Sequence, residues 1–243
     1  MLSIIKAEFI KSKRTMSMLL IGVFPLIVFL MAFVFTAGIQ NAYSESVWNW
    51  WYTLLLPGML AIISYLSVVR EKKMKYFNLM TLSTGRRKLM LGKIFFMVLI
   101  MLVANVIIFA GSTIGGNILT TCVPVKGAVA AIFILTIVQM WEIPILLFLS
   151  ERFGMIVELI TCLFITVTGT VIAPTSKWIF CVSAIPMRVL CPILHIMPNG
   201  LRIEEGSPFL DNSVILPGIC ISLGWFILGT ILYLNWFNKR EVK

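Results

Sequence analysis

The sequence predicts an all-α integral membrane protein with six transmembrane helices, and three observations carry that reading. The hydrophobic fraction is 60%, only 12% of residues are charged, and mean hydropathy is +1.01, far more apolar than a soluble domain that must cover itself with polar side chains. Apolar runs of roughly 20 residues, the length that crosses a hydrocarbon core, recur along the chain. Lysine and arginine gather in alternate connections between those runs, the asymmetry that orients membrane proteins.

The chain begins with "LSIIKAEFIKSKRT". It places Leu2, Ile5 and Phe9 on one helical face with lysines opposite, which predicts an interfacial helix lying on the inner leaflet, with Glu8 in reach of Lys11 or Arg14. The apolar stretch that follows outruns a signal-peptide core, and no small-x-small cleavage site follows it, so it is expected to remain as the first span. Spans are expected at 17–38, 50–69, 94–119, 127–149, 155–174 and 214–235.

Trp48, Trp50, Trp51 and Tyr52 cluster at the start of the second span and fit an aromatic belt at its outer end. The alternative is that these rings meet an amphipathic substrate in that leaflet. The third span carries Gly111 and Gly115 in a GxxxG pattern followed by Gly116, which allows close helix approach. The fourth contains "QMWEIPILL", where Pro144 interrupts the helical ladder just after Trp141 and Glu142. Glu142 and Glu158, the latter in "FGMIVELIT", are the acids nearest membrane depth. A carboxylate in hydrocarbon is costly and marks either function or a local polar pair. For Glu142 both readings stand, with a polar neighbour such as Gln139 or a partner helix available to pair with it, whereas Glu158 lies within a turn of the inner surface and reads as structural.

The stretch "WIFCVSAIPMRVLCPILHIM", 178–197, is long enough for a seventh span, but Pro186, Arg188, Pro192 and His195 argue against it. A seventh crossing would also strand Lys239, Arg240 and Lys243 outside. Two short amphipathic helices, forming a re-entrant or surface hairpin in the outer leaflet between spans 5 and 6, are expected instead. Glu204, Glu205 and Asp211 then make a negative spot outside, of a kind that attracts cationic peptides.

With six crossings and both termini in the cytoplasm, only Lys126, Lys177, Arg188 and Arg202 of the 20 basic residues lie outside. Topology thereby accounts for the formal charge of +10 without nucleic acid. The five cysteines form no CxxC or Cys/His ligand set and His195 is the only histidine, which leaves no basis for a metal or dithiol site. A Cys181–Cys191 disulfide requires both residues to face an oxidising exterior.

The longest cytoplasmic connection, "REKKMKYFNLMTLSTGRRKLMLGK" at 70–93, has basic flanks around an apolar middle with Tyr76, Phe77, Leu79, Met80 and Leu82. The flanks suit headgroup anchoring. The middle suits a short helix pressed into a groove on a partner protein. "SERFG", 150–154, is a second inner loop, in which Glu151 and Arg152 fit either an additional contact or a solvated pair.

That segment resembles the connection between helices 2 and 3 of ABC-2 type transporter permeases, where an acidic residue, a short coupling helix, a Leu-Ser-x-x-x-Arg-like turn and a Gly-Lys recur. Glu71, Leu82, Ser83, Arg87, Gly92 and Lys93 fit the pattern, without the family's glycine after the acid and proline after the serine. "IIKAEFIKSKRT" and "WNWWYTLLLPGMLAI" narrow the likeness to permease subunits of the mutacin, epidermin and nisin immunity type.

The resemblance implies a single ABC-2 type transmembrane domain over 1–243 in a bacterial plasma membrane, with the N-terminal helix as an elbow. It implies two copies of a separate ATPase that bind ATP and Mg, a second homologous permease, and a lantibiotic peptide as cargo. Glu71, Tyr76, Phe77, Leu79, Met80, Leu82, Arg86 and Arg87 would then couple to the ATPase, while Trp48, Trp50, Trp51, Glu204 and Glu205 are the candidates to face substrate. The sequence has no GxxxxGK[ST]; its nearest glycine cluster, "GSTIGGN" at 111–117, lacks the lysine, so no cofactor is expected on this chain and energy must come from a partner. Export of a lipid, polysaccharide or other drug remains open on the same architecture. An intramembrane enzyme would have to use Glu142, Glu158 and His195, yet HExxH and EExxxR patterns are absent. A proton-driven secondary transporter would use Glu142, but the halves show no repeat.

Overall fold

The computed structural model describes residues 2–36, 42–76, 85–119 and 123–239, and among them the chain is helical apart from turns and one isolated bridge, Ile196 to Arg202. The helices are α1 (Leu2–Ser12), α2 (Met16–Phe35), α3 (Tyr43–Trp50), α4 (Leu56–Lys73), α5 (Arg86–Ile118), α6 (Val125–Gln139), α7 (Glu142–Arg152), α8 (Met155–Ile172), α9 (Ile185–Leu194) and α10 (Ile215–Lys239). Five stretches are long and apolar enough to cross a membrane, and a sixth results if α6 and α7, bent by 46° at Met140–Trp141, form one span. The expected kink at Pro144 therefore falls a turn earlier, because the carbonyls that proline leaves without a donor lie N-terminal to it.

The second span starts earlier than the sequence suggested, at Tyr43, and passes through a π-helical turn at Trp51–Leu55 before α4. Pro57 at the start of α4 cannot donate to the Thr53 carbonyl and its ring crowds it, and widening to a π turn accommodates both effects. This span is the axis of the bundle: 67% of its apolar stretch is buried, against 22% for α2, α8 and α10. That position corrects the aromatic belt. Trp48 and Trp51 are fully buried, and the Trp51 indole donates to Asn105 of α5 at 2.8 Å. Trp50 alone of the three stays half-buried, stacked on Phe35 with ring centroids 6.0 Å apart.

The outer segment also differs from expectation. Of the two helices expected in a re-entrant or surface hairpin, it forms 3-10 turns at Trp178–Phe180 and Val182–Ala184 and then the single helix α9, which does not lie on the surface but is buried along its length except at half-buried Arg188. Ten residues span about 15 Å, too short to cross, so α9 fills one end of the bundle. It can seat there because Gly127 of α6 lies against the Ile193 carbonyl and Gly218 of α10 against Val189. Asn49 ties the following loop to α3 by donating to the Pro198 carbonyl at 3.1 Å. Cys181 and Cys191 are both free thiols.

The GxxxG glycines serve packing within the chain: Gly111 receives the Phe29 ring of α2 and Gly115 the Tyr43 ring of α3. Gly154, at φ +85°, ends α7 and starts α8 in a conformation that a side chain would resist.

Candidate functional site at the basic end of the bundle

The expected coupling segment leaves and re-enters the bundle where α1, α4, α5, α7 and α10 end. α1 lies across the start of α5, where Gly92 leaves room for Ile4 to sit against the backbone. That seating buries Glu8, which a fully exposed amphipathic helix would have left in water. Lys11 Nζ lies 2.8 Å from Glu8 Oε1 and 3.0 Å from Glu71 Oε1. Arg70 donates to the Lys11 carbonyl at 2.9 Å and stands 3.5 Å from Glu8 Oε2. Burial pulls on the Lys11 ammonium in the direction of deprotonation, but the hydrogen bonds and charges of Glu8 and Glu71 outweigh it and hold its pKa above the ordinary value.

Lys93 joins this group from α5. It is 2% exposed, its Nζ lies 3.9 Å from Glu71 Oε1, and it reaches the Ser67 carbonyl at 3.5 Å. Its ammonium also lies in the field of Glu8 and Glu151, which links α1 and α4 electrostatically to the last turn of α7. A buried lysine on an apolar helix is costly without such partners.

Lys72 donates to the carbonyls of Ser150 at 3.3 Å and Glu151 at 3.0 Å, capping the C-terminus of α7, where cations suit the helix dipole. Tyr76 Oη donates to Glu151 Oε2 at 2.7 Å, and its ring packs edge-on against Phe237 of α10 with centroids 6.2 Å apart. Lys75 and Tyr76 both adopt left-handed backbone, at φ 48° and 53°, a conformation disfavoured for residues other than glycine. The buried Tyr76 side chain holds that turn. At the other stump Gly85 precedes α5, and Arg87 donates to Asn235 of α10 at 3.2 Å. Both ends of the segment are thus attached to one helix, α10.

Of the expected coupling residues, Glu71 and Tyr76 lie inside this network, and Arg86 and Arg87 begin the helix beside it. Phe77, Leu79, Met80 and Leu82 lie outside the described residues. Glu151 is not a solvated loop acid: it is 5% exposed and shared by Tyr76 and Lys72, whereas its neighbour Arg152 is exposed. Glu8 pairs with Lys11, one of its two expected partners. Sequence reading missed Lys93, Phe237 and Asn235 as partners: six crossings put the start of α5 and the end of α10 on one side, but local spacing does not say which helices pack together there.

Glu158 sits deeper and is fully buried. Its oxygens accept from the Ser64 hydroxyl of α4 and, at 2.5 Å, the Ser150 hydroxyl of α7. The carboxyl therefore joins three helices, in keeping with a structural role. Glu142 is separate from this site, at the α6–α7 break. At the opposite end of the bundle, Glu204 and Glu205 are exposed in the loop after α9. Asp211, expected beside them, accepts from the Ser213 hydroxyl at 2.6 Å and its amide at 2.8 Å, and these bonds hold its pKa below the usual carboxylate value. Part of the expected negative spot is thus committed to its own turn.

The acids of this arrangement are matched to cations, so that it ties the ends of several helices together through paired charges. Compared with known proteins, residues 4–169 match the family model described as ABC-2 family transporter protein. No curated protein and no solved structure matches the chain.

Proposed function

The chain belongs to the ABC-2 family of transporter proteins, and from that premise we propose that it is the permease subunit of an ATP-driven exporter whose ATPase docks at the basic end of the bundle. The observation that carries this reading is the double attachment of segment 77–84. Tyr76 packs on Phe237 at one stump and Arg87 bonds Asn235 at the other, so a push on the segment is transmitted to α10 as well as to α4 and α5. Glu71, Tyr76, Arg86 and Arg87 form the rigid base, and Phe77, Leu79, Met80 and Leu82 provide the apolar contact with the ATPase. ATP and Mg bind on that partner, present in two copies, and a second homologous permease completes the transmembrane pore.

The basic end faces the cytosol, in line with the positive-inside rule, and α1 is the elbow helix on the inner leaflet. Cargo is a cationic lantibiotic taken from the outer leaflet of a bacterial plasma membrane, a reading that rests on the likeness of 4–15 and 48–62 to immunity permeases. The buried Trp48 and Trp51 leave Trp50, Glu204 and Glu205 as the groups able to meet such a peptide.

The test is to tag the chain in its native membrane, solubilise it gently and identify what co-purifies. Recovery of an ATPase with a second similar permease supports the assembly. Recovery of the chain alone, under conditions that preserve a known ABC complex, overturns it. For the cargo, cells carrying the complete operon should gain lantibiotic resistance; no gain beside a working control immunity system excludes that substrate and leaves the permease reading intact.

A further inference from the structure

The break in the fourth span holds polar groups that the transport junction does not use. α6 ends at Gln139 and α7 begins at Glu142, so the two side chains stand on either side of the 46° bend. Gln139 is 2% exposed and Glu142 5%. The Gln139 side chain is close enough to influence the Glu142 carboxyl, yet Glu142 Oε2 and Gln139 Oε1 are both buried with no hydrogen-bond partner. Both orphans are acceptors when the carboxyl is ionised, and each buried acceptor without a donor costs about 1–3 kcal/mol. An ionised carboxylate at this depth costs more.

One proton resolves both. On Glu142 Oε2 it turns that atom into a donor that Gln139 Oε1 can accept, and the other carboxyl oxygen is left to accept from the Gln139 amide. Acid and amide then close a two-bond ring across the bend. No lysine, arginine or histidine pairs with Glu142 among the described residues; of the helices packed on it, α8 offers the Cys162 thiol, which is in electrostatic contact with it. A cation that would stabilise the ionised form is therefore lacking at this place. Pro144, seated against Gly229 of α10, keeps the helix broken so that the ring has a joint to close.

We infer that Glu142 and Gln139 form an intramembrane proton-binding site whose occupancy clamps the bend between α6 and α7. The proton comes from a hydronium ion, leaving water, and its release places two acceptors face to face and opens the ring. This site is independent of ATPase docking and of the identity of the cargo.

Infrared difference spectra of the full-length protein in lipid nanodiscs, recorded as the pH is raised from neutral to alkaline, test it. The expected result is a protonated-carboxyl stretch at neutral pH that is lost in Glu142→Gln and moves to higher frequency in Gln139→Ala, where the ring partner is gone. An unchanged carboxyl band in Glu142→Gln shows the residue ionised and overturns the proposal. So does an unshifted band in Gln139→Ala, a measurement that decides the matter even if the Glu142 variant does not fold.

Discussion

The phenol of Tyr76 donates to the carboxylate of Glu151 at 2.7 Å across 75 residues of sequence. This bond joins the last described residue before segment 77–84 to the last turn of α7. Tyr76→Phe keeps the ring on Phe237 and deletes only the hydroxyl. Hydrogen bonds to charged partners contribute about 1.5–3 kcal/mol, so the variant should melt several degrees lower in detergent. In the assembled transporter it should also lower cargo-stimulated ATP hydrolysis while leaving the basal rate in place. An unchanged melting temperature would show that the bond does not hold the turn.

Glu71 and Lys93 are coupled buried charges, 3.9 Å apart and only 3% and 2% exposed at their side chains. Removing one partner leaves an uncompensated charge, which costs about 3–5 kcal/mol in such settings, whereas replacing both is often neutral. Glu71→Gln and Lys93→Met should therefore each destabilise strongly, and the double variant should recover part of the loss. Melting temperatures of the four forms give the cycle. Simple additivity would mean that Lys93 relies on Glu8 and Glu151 instead.

Spans, and the basic end that holds this pair, were legible because they depend on composition and local spacing. Lys6, Lys11, Arg70 and Arg86 all flank long apolar runs. What the sequence hid was depth and rotation. Trp48 and Trp51 look like belt residues by position, yet the span they begin is the bundle's axis, so the rings turn inward and Trp51 finds Asn105. Helix α9 has the prolines and arginine of a surface segment. It is buried because Gly127 and Gly218, on helices distant in sequence, leave it room. Lys93 resembled a headgroup anchor until α1 folded over it.

Glu158 binds its partners redundantly. Ser64 and Ser150 each donate to it, and their hydroxyls lie 3.1 Å from each other. Either serine can partly replace the other, so Ser64→Ala and Ser150→Ala should each cost about 1 kcal/mol, and the double variant clearly more than the sum. Glu158→Gln should be milder than the double variant, because a hydroxyl can accept from the new amide. Thermal unfolding in detergent ranks the four, and a double variant no worse than the singles would remove Glu158 from the role of linking α4, α7 and α8.

The same charges predict an orientation, with the basic end in the cytosol. Arg152 is exposed at the end of α7 beside the basic junction, and Glu204 is exposed in the loop after α9 at the other end. In a chain whose native cysteines have been replaced by serine or alanine, Glu204→Cys should react with a membrane-impermeant maleimide on intact cells. Arg152→Cys should react only after permeabilisation. The reverse pattern would place the Lys11, Arg70 and Lys93 network outside the cell, out of reach of any cytosolic ATPase, and the docking proposal would fall with it. Labelling of both sites on intact cells would instead show that the two ends share one side, which the crossing of α8 between them forbids.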